Sequence, residues 1–273
     1  AVVRHLRNHP ALDVAKHAVF SALTAEIQLV ASNFATKRKA YQVVIGGPCP
    51  NYFSDINFAA LLSTLASSFD FADNSPTTVH LDPRRSSRVQ LELLRGLGVT
   101  EINLEVRDVD PRVQAAVGMT QSIGLIEDAI SMARNLNFRS VNMDLSFGLP
   151  LQTSHSIKET VRVIHELSPD MVSCQQFTRR PELFPHQRGM DTYGDLSLAQ
   201  KLSIFNRIVE EFKLLGWEWV GLNSFVKADY PWIDREQYAP IGQGPNGCLI
   251  GQNVATIGFG VGAVTETVNS VSR

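Results

Sequence analysis

The feature that most constrains this chain is an alternation. Short apolar runs rich in β-branched residues recur, and each is followed by a segment with helical periodicity. The runs are 41–45, 77–81, 101–106, 140–145 and 171–175, with a later one over 217–225. Amphipathic patterns fall at about 14–34, 56–69, 88–97, 122–136, 156–167 and 198–215. Such alternation predicts repeated strand–helix–strand units around a parallel sheet. Units of this length favour a barrel or partial barrel over a doubly wound sheet, although periodicity does not decide closure. Gly96, Gly98 and Gly216 end two of the helices as C-terminal caps do. Pro83 and Pro111 suit turns leading into the next helix. Ala1–Leu6 reads as a first strand, and residues 227–247, rich in proline, glycine and aromatics, read as an irregular excursion.

Composition narrows the partners. At 273 residues and 44% apolar, the chain is long enough for one large α/β unit. Its 25 basic and 27 acidic residues leave a formal charge of −2, which gives no footprint for nucleic acid or an anionic membrane. The most apolar stretches, 58–65 and 254–264, fall far short of the roughly 20 residues that span a bilayer. No charged-then-apolar leader opens at Ala1. Cys49, Cys174 and Cys248 are widely spaced and odd in number, which suits reduced, buried thiols in the cytoplasm or another reducing compartment. Neither paired-cysteine nor paired-histidine metal spacing occurs, so no metal site is expected, and His155, His165 and His186 are expected to serve packing or the surface.

Three stretches carry a family resemblance. The first is Gly46-Gly47-Pro48-Cys49-Pro50, followed by Asn51-Tyr52. The second runs from Val141-Asn142-Met143-Asp144-Leu145 through Ser146-Phe147-Gly148-Leu149-Pro150 to Gln152-Thr153, and is the most specific. The third is Phe177–Arg188, with Gln200-Lys201-Leu202 and Gly258–Gly262 downstream. In order and spacing they resemble the oxygen-independent coproporphyrinogen III oxidases, a radical S-adenosylmethionine (SAM) family. The resemblance implies a partial (β/α) barrel of the radical SAM type over residues 1–216, with a C-terminal extension, 217–273, packed on it.

It also implies a site at the carboxyl ends of the strands, lined by Gly46, Gly47, His80, Arg107, Asp144 and Thr178. A Gly-Gly turn lets backbone approach a ligand closely, and barrel sites draw polar groups from strand ends. A tight turn and a capping aspartate are the plainer alternatives for Gly46-Gly47 and Asp144. Arg179, Arg180, Gln187 and Arg188 suit the carboxylates of a tetrapyrrole, or else form a solvated charge run.

The chain departs from the family at several points. Members hold a [4Fe–4S] cluster on a C-x-x-x-C-x-x-C loop after the first strand, yet residues 1–41 contain no cysteine. Either that loop lies upstream of Ala1 or it has been lost. Pro48 and Cys49 replace a glycine and a threonine, His80 a glutamate, Arg107 a glutamine and Met119 an arginine. Asp144 is kept. These departures lead to the expectation of a catalytically inactive relative with no cofactor, serving as a binding or structural subunit covered by a protein partner or a second copy. The alternatives are an active oxidase of tetrapyrrole synthesis whose cluster loop lies outside this chain, and a tetrapyrrole carrier.

Overall fold

The computed structural model describes residues 10–47, 50–73, 75–220, 223–228, 242–244, 247–249, 255–267 and 270–272. Five parallel strands stand side by side in the order in which they occur in the chain. They are β1 (Val43–Ile45), β2 (Thr77–Leu81), β3 (Glu101–Arg107), β4 (Ser140–Phe147) and β5 (Met171–Gln176). A hairpin, β6 (Trp217–Val220) and β7 (Ser224–Lys227), closes the row: β7 lies antiparallel to β5, and β6 is outermost. Helices α2 (Asp55–Ser68), α3 (Arg88–Gly96), α5 (Ile123–Asn135), α6 (Ser154–Leu167) and α7 (Leu198–Leu214) connect successive strands. A short α4 (Pro111–Ala116) precedes α5, and α1 (Pro10–Ser32) packs on α2.

Each connecting helix begins where a hydroxyl stops the preceding extended backbone. Ser54, Ser87 and Ser122 accept from the amides of Asn57, Gln90 and Leu125, and Thr153 and Ser197 form reciprocal capping boxes with Ser156 and Gln200. Every such cap contributes about 1 kcal/mol.

Strand order decides which face does what. With no reversal of order along the five parallel strands, the crossover helices gather on one side, so the two faces of the sheet have different neighbours. Residues paired across strands share a face. Val79, Ile102 and Val141 form one such row, and Leu81, Leu104, Met143 and Val172 another. All are fully buried, each worth about 1.5–3 kcal/mol over exposure. The opposite face carries Thr78, Glu101 and Ser140 in one row, then His80, Asn103 and Asn142, then Glu105, Asp144 and Ser173. Closed barrels fill such positions with branched aliphatics. Here they are polar, and all but Glu105 are buried.

Three expectations are modified. The run at 217–225 is two antiparallel strands rather than one, because the chain turns back between Val220 and Ser224. Since both join the main sheet, the sheet crosses the division expected at residue 216. Further on, 242–244 pairs antiparallel with 247–249, where an irregular excursion was expected. Ala1–Leu6 lies outside the described residues. Of the glycine-rich C-terminal stretch, Phe259 packs against Phe69 with the rings tilted and their centroids 5.9 Å apart, and the Gly260 amide donates to Glu26 at 2.9 Å, while Val261 is fully exposed. Among the described residues no helix is long and apolar enough to cross a membrane.

Candidate functional site

The inner face ends at the carboxyl ends of β1–β4, and there the charged groups collect. His80 Nδ1 lies 3.2 Å from Asp144 Oδ2 and 3.0 Å from Asn103 Nδ2. Burial of the ring works against its charged form, but the hydrogen bond and charge of Asp144, with the charge of Glu105, outweigh it and raise the His80 pKa above the ordinary value. Asn103 Oδ1 is buried with no hydrogen-bond partner among the described residues.

Backbone closes over this pair from β1. A Cβ at Gly46 would stand 3.3 Å from His80 Cδ2, so the glycine lets the imidazole lie flat against the turn. Gly47 adopts φ 87°, where side chains are disfavoured, and nothing lies within 4 Å of the Cβ it lacks. Asn51 locks the turn to the end of β2: its amide donates to Asp82 O at 3.0 Å and accepts from Asp82 N at 3.2 Å.

On β3 the strand breaks register between Glu105 and Arg107, and Arg107 takes the left-handed conformation at φ 66°. A terminal nitrogen of Arg107 reaches Glu105 Oε2 at 3.3 Å. Its Nε is buried without a partner among the described residues.

Behind these groups Asp108 organises the loops that follow β3 and β4. Its carboxylate accepts from Gln152 Nε2 at 2.6 Å, from Thr160 Oγ1 at 2.8 Å and from Asp110 N at 2.8 Å. Burial raises the Asp108 pKa against the pull of those three donors. Gln152 also donates to Ser146 O and accepts from Leu149 N, while Gln114 and Gln121 tie the 108–121 loop back to Glu105 O. Lys201 crosses Gly148 at the 3.1 Å a Cβ would need and donates to Phe177 O, joining α7 to the loops after β4 and β5.

Of the residues predicted for the site, Gly46, His80 and Asp144 meet, with Gly47 at the rim. Arg107 joins them through Glu105, which sequence reasoning missed together with Asn103. Thr178 stands apart: it is exposed, two residues past the end of β5. Asp108 and Gln152 were also missed as functional supports. Gln152 had been noticed within a motif, yet only the fold shows that it spans two loops.

Arg179 is not available to a ligand in the way expected, because it pairs with Asp191 and Asp195 within its own segment. Gln187 likewise accepts from the backbone amide of Arg180. Met119 packs with Val113, Val117, Leu149 and Met190. His165 accepts a hydrogen bond from the Trp217 indole at 3.0 Å. Cys174 pairs in register with Leu145, which puts it on the helix-covered face, and burial raises its pKa well above the usual thiol range. Cys49 lies outside the described residues.

Comparison with known proteins gives consistent likenesses. Residues 17–164 match the radical SAM superfamily. The oxygen-independent coproporphyrinogen III oxidase of Pseudomonas aeruginosa is 28% identical over 246 residues, 89% of this chain and 54% of that protein. Its counterpart in Helicobacter pylori (strain 26695) is 25% identical over 259 residues, covering 94% and 57%. Among solved structures, coproporphyrinogen III oxidase from Escherichia coli, described as a radical SAM enzyme, superposes with a TM-score of 0.81 at 28% identity, over 92% of this chain and 58% of that one. The chain thus spans a little over half the length of the relatives it matches.

These likenesses overturn the expectation that no cofactor belongs here, since the matched superfamily is defined by one. The described residues fit the two parts of that chemistry unequally. Arg107 and His80 beside Glu105 and Asp144, next to an open glycine turn, offer paired charges suited to the zwitterionic aminoacyl end of SAM. An iron–sulfur cluster needs converging thiolates. Cys174 faces away from this site, and among the described residues no group of three His, Cys, Asp or Glu is placed to hold a metal. The described residues do not fit the cluster.

Proposed function

The chain belongs to the radical SAM superfamily, and from that premise we propose that it forms the core of an oxygen-independent oxidase of the coproporphyrinogen type. Its substrate is a carboxylate-bearing tetrapyrrole, with SAM at the strand ends. The observation that carries this reading is the buried polar inner face, rising from Thr78 and Glu101 to the His80–Asp144 pair and Arg107. A sheet with no ligand to hold would fill such positions with aliphatic side chains. The expectation of an inactive subunit rested first on missing cluster spacing. That spacing is missing from a chain that covers only 54% of such a relative, so it speaks for this stretch alone.

In this reading Arg107 and Glu105 orient the charged end of a ligand, and Asp144 holds His80 Nδ1 so that the ring keeps one tautomer. The Asp108–Gln152 network fixes the loops that shut water from the strand ends. SAM held here would supply the radical chemistry of the superfamily only with one electron from a reduced iron–sulfur cluster, for which the described residues offer no ligand set. One observation favours a second reading, binding without turnover: the Asp144 carboxylate is already engaged by His80.

Anaerobic reconstitution of the full-length protein with iron and sulfide, followed by SAM and a one-electron reductant such as dithionite, separates the two. Formation of 5′-deoxyadenosine that depends on added coproporphyrinogen III is the expected result. Fluorescence-detected binding of coproporphyrin III without 5′-deoxyadenosine supports carriage instead. Failure to bind either the porphyrin or SAM overturns both readings.

A further inference from the structure

We propose that Arg107 is a carboxylate-binding residue, aimed at the open end of the sheet by the bulge in β3; the proposal rests on the reading above that a carboxylate-bearing ligand occupies this site. The backbone supplies the first observation. Arg107 sits at φ 66°, in the left-handed region that a residue with a Cβ rarely adopts. Strain of this kind persists where surrounding structure enforces it, and it collects at ligand sites.

The side chain supplies the second. Two other arginines of this fold meet carboxylates closely: Arg84 grips Asp82 through Nε at 2.8 Å and a terminal nitrogen at 2.6 Å, and Arg134 meets Asp170 at 2.7 Å. Arg107 has no such grip. Its contact with Glu105 is 3.3 Å long, its Nε is buried without a partner among the described residues, and its side chain remains 37% exposed. A buried N–H without an acceptor is costly, and a carboxylate that draws the guanidinium outward relieves it.

The chemistry supplies the third. Nε and one terminal nitrogen form a two-donor fork that matches a carboxylate, which is the arrangement Arg84 and Asp82 already display. An ammonium or a neutral ring has no use for that fork. Among the groups carried by the ligands proposed above, the fork matches a carboxylate, and two sources carry one: the aminoacyl end of SAM and the propionates of a tetrapyrrole.

The test compares the wild-type protein with Arg107→Gly and Arg107→Lys. Glycine suits the left-handed backbone, so Arg107→Gly removes the guanidinium while leaving the fold at least as stable by thermal unfolding. Lysine keeps the charge and loses the fork. Binding of SAM is read by calorimetry, and binding of coproporphyrin III and of its tetramethyl ester by fluorescence. Arg107→Gly is expected to weaken one carboxylate ligand about 10- to 100-fold, with Arg107→Lys in between. Loss confined to SAM assigns the aminoacyl source. Loss confined to coproporphyrin III, with the ester bound alike by both proteins, assigns the propionate source. Wild-type binding that persists unchanged in Arg107→Gly overturns this inference alone, whereas a wild type that binds neither ligand overturns it together with the function proposed above.

Discussion

The two faces of strand β3 make opposite use of the same backbone. Ile102, Leu104 and Val106 face the helices, and none retains any exposure. Glu101, Asn103 and Glu105 face inward, and there Asn103 Oδ1 has no partner among the described residues, with the unpartnered Nε of Arg107 beyond them at the strand end. The helix face gains stability from complete contact, so any change in volume is felt. The inner face bears polar groups left short of hydrogen bonds, a cost that ligand binding can offset. Stability and chemistry are thus separated by side-chain alternation, one residue apart.

If that division holds, adjacent truncations on β3 should differ sharply. Leu104→Ala leaves a cavity under the helices and should lower stability by about 2–5 kcal/mol. Asn103→Ala on the inner face should lower it by less than about 1.5 kcal/mol, because that amide already lacks a partner for its oxygen. Urea unfolding of both variants measures this. Equal losses would break the comparison.

A smaller effect is expected where the inner face meets its support. Replacing Gln152 by Ala strips donors from Asp108 and Ser146 and should destabilise by about 1–3 kcal/mol, since a buried carboxylate then loses a charged hydrogen bond. Hydrogen exchange should report the loss in the 108–121 and 146–152 loops before it reaches the strands. Uniform loss across the sheet would mean that the network is part of the core rather than a mount for the site.

The smallest effect concerns pH. His80 has its folded-state pKa raised above 6.5, the value it starts from, because Asp144 and Glu105 outweigh burial. The stabilisation is therefore complete below 6.5 and fades as pH rises through the folded-state pKa. Wild type should lose stability relative to His80→Gln between neutral and alkaline pH, measured by urea unfolding at a series of pH values. A difference that grows in the opposite direction would show that burial wins and that the ring is neutral.

Much of the fold was legible because local rules and tertiary packing agree. The runs at 77–81 and 101–106 became β2 and β3 with at most one residue of change, since apolar β-branched runs suit strands covered by helices. The hairpin at 217–227 was not legible: its sequence reads as one continuous run, and only the antiparallel partner β5 fixes where the chain turns back. At the site, Gly46, His80 and Asp144 were named from motif position and do come together. Asn103 was missed because a lone asparagine inside an apolar run gives no signal until its neighbour across the sheet is known. Thr178 was named by resemblance and stands exposed.

The sequence by itself determined the alternation of strand and helix, the hydroxyl caps and the carboxyl-end turn at Gly46-Gly47, because each depends on residues within a few positions of one another. Which arginine is gripped on both sides of its fork and which keeps a donor open was decided only by the tertiary structure. Arg84, Arg107 and Arg179 look alike in the chain, yet two are held by nearby aspartates and one is left by a bulge with an unpartnered nitrogen. Register and bulge arise from pairing between strands far apart in sequence, and long-range pairing aims side chains in a way that no local pattern records.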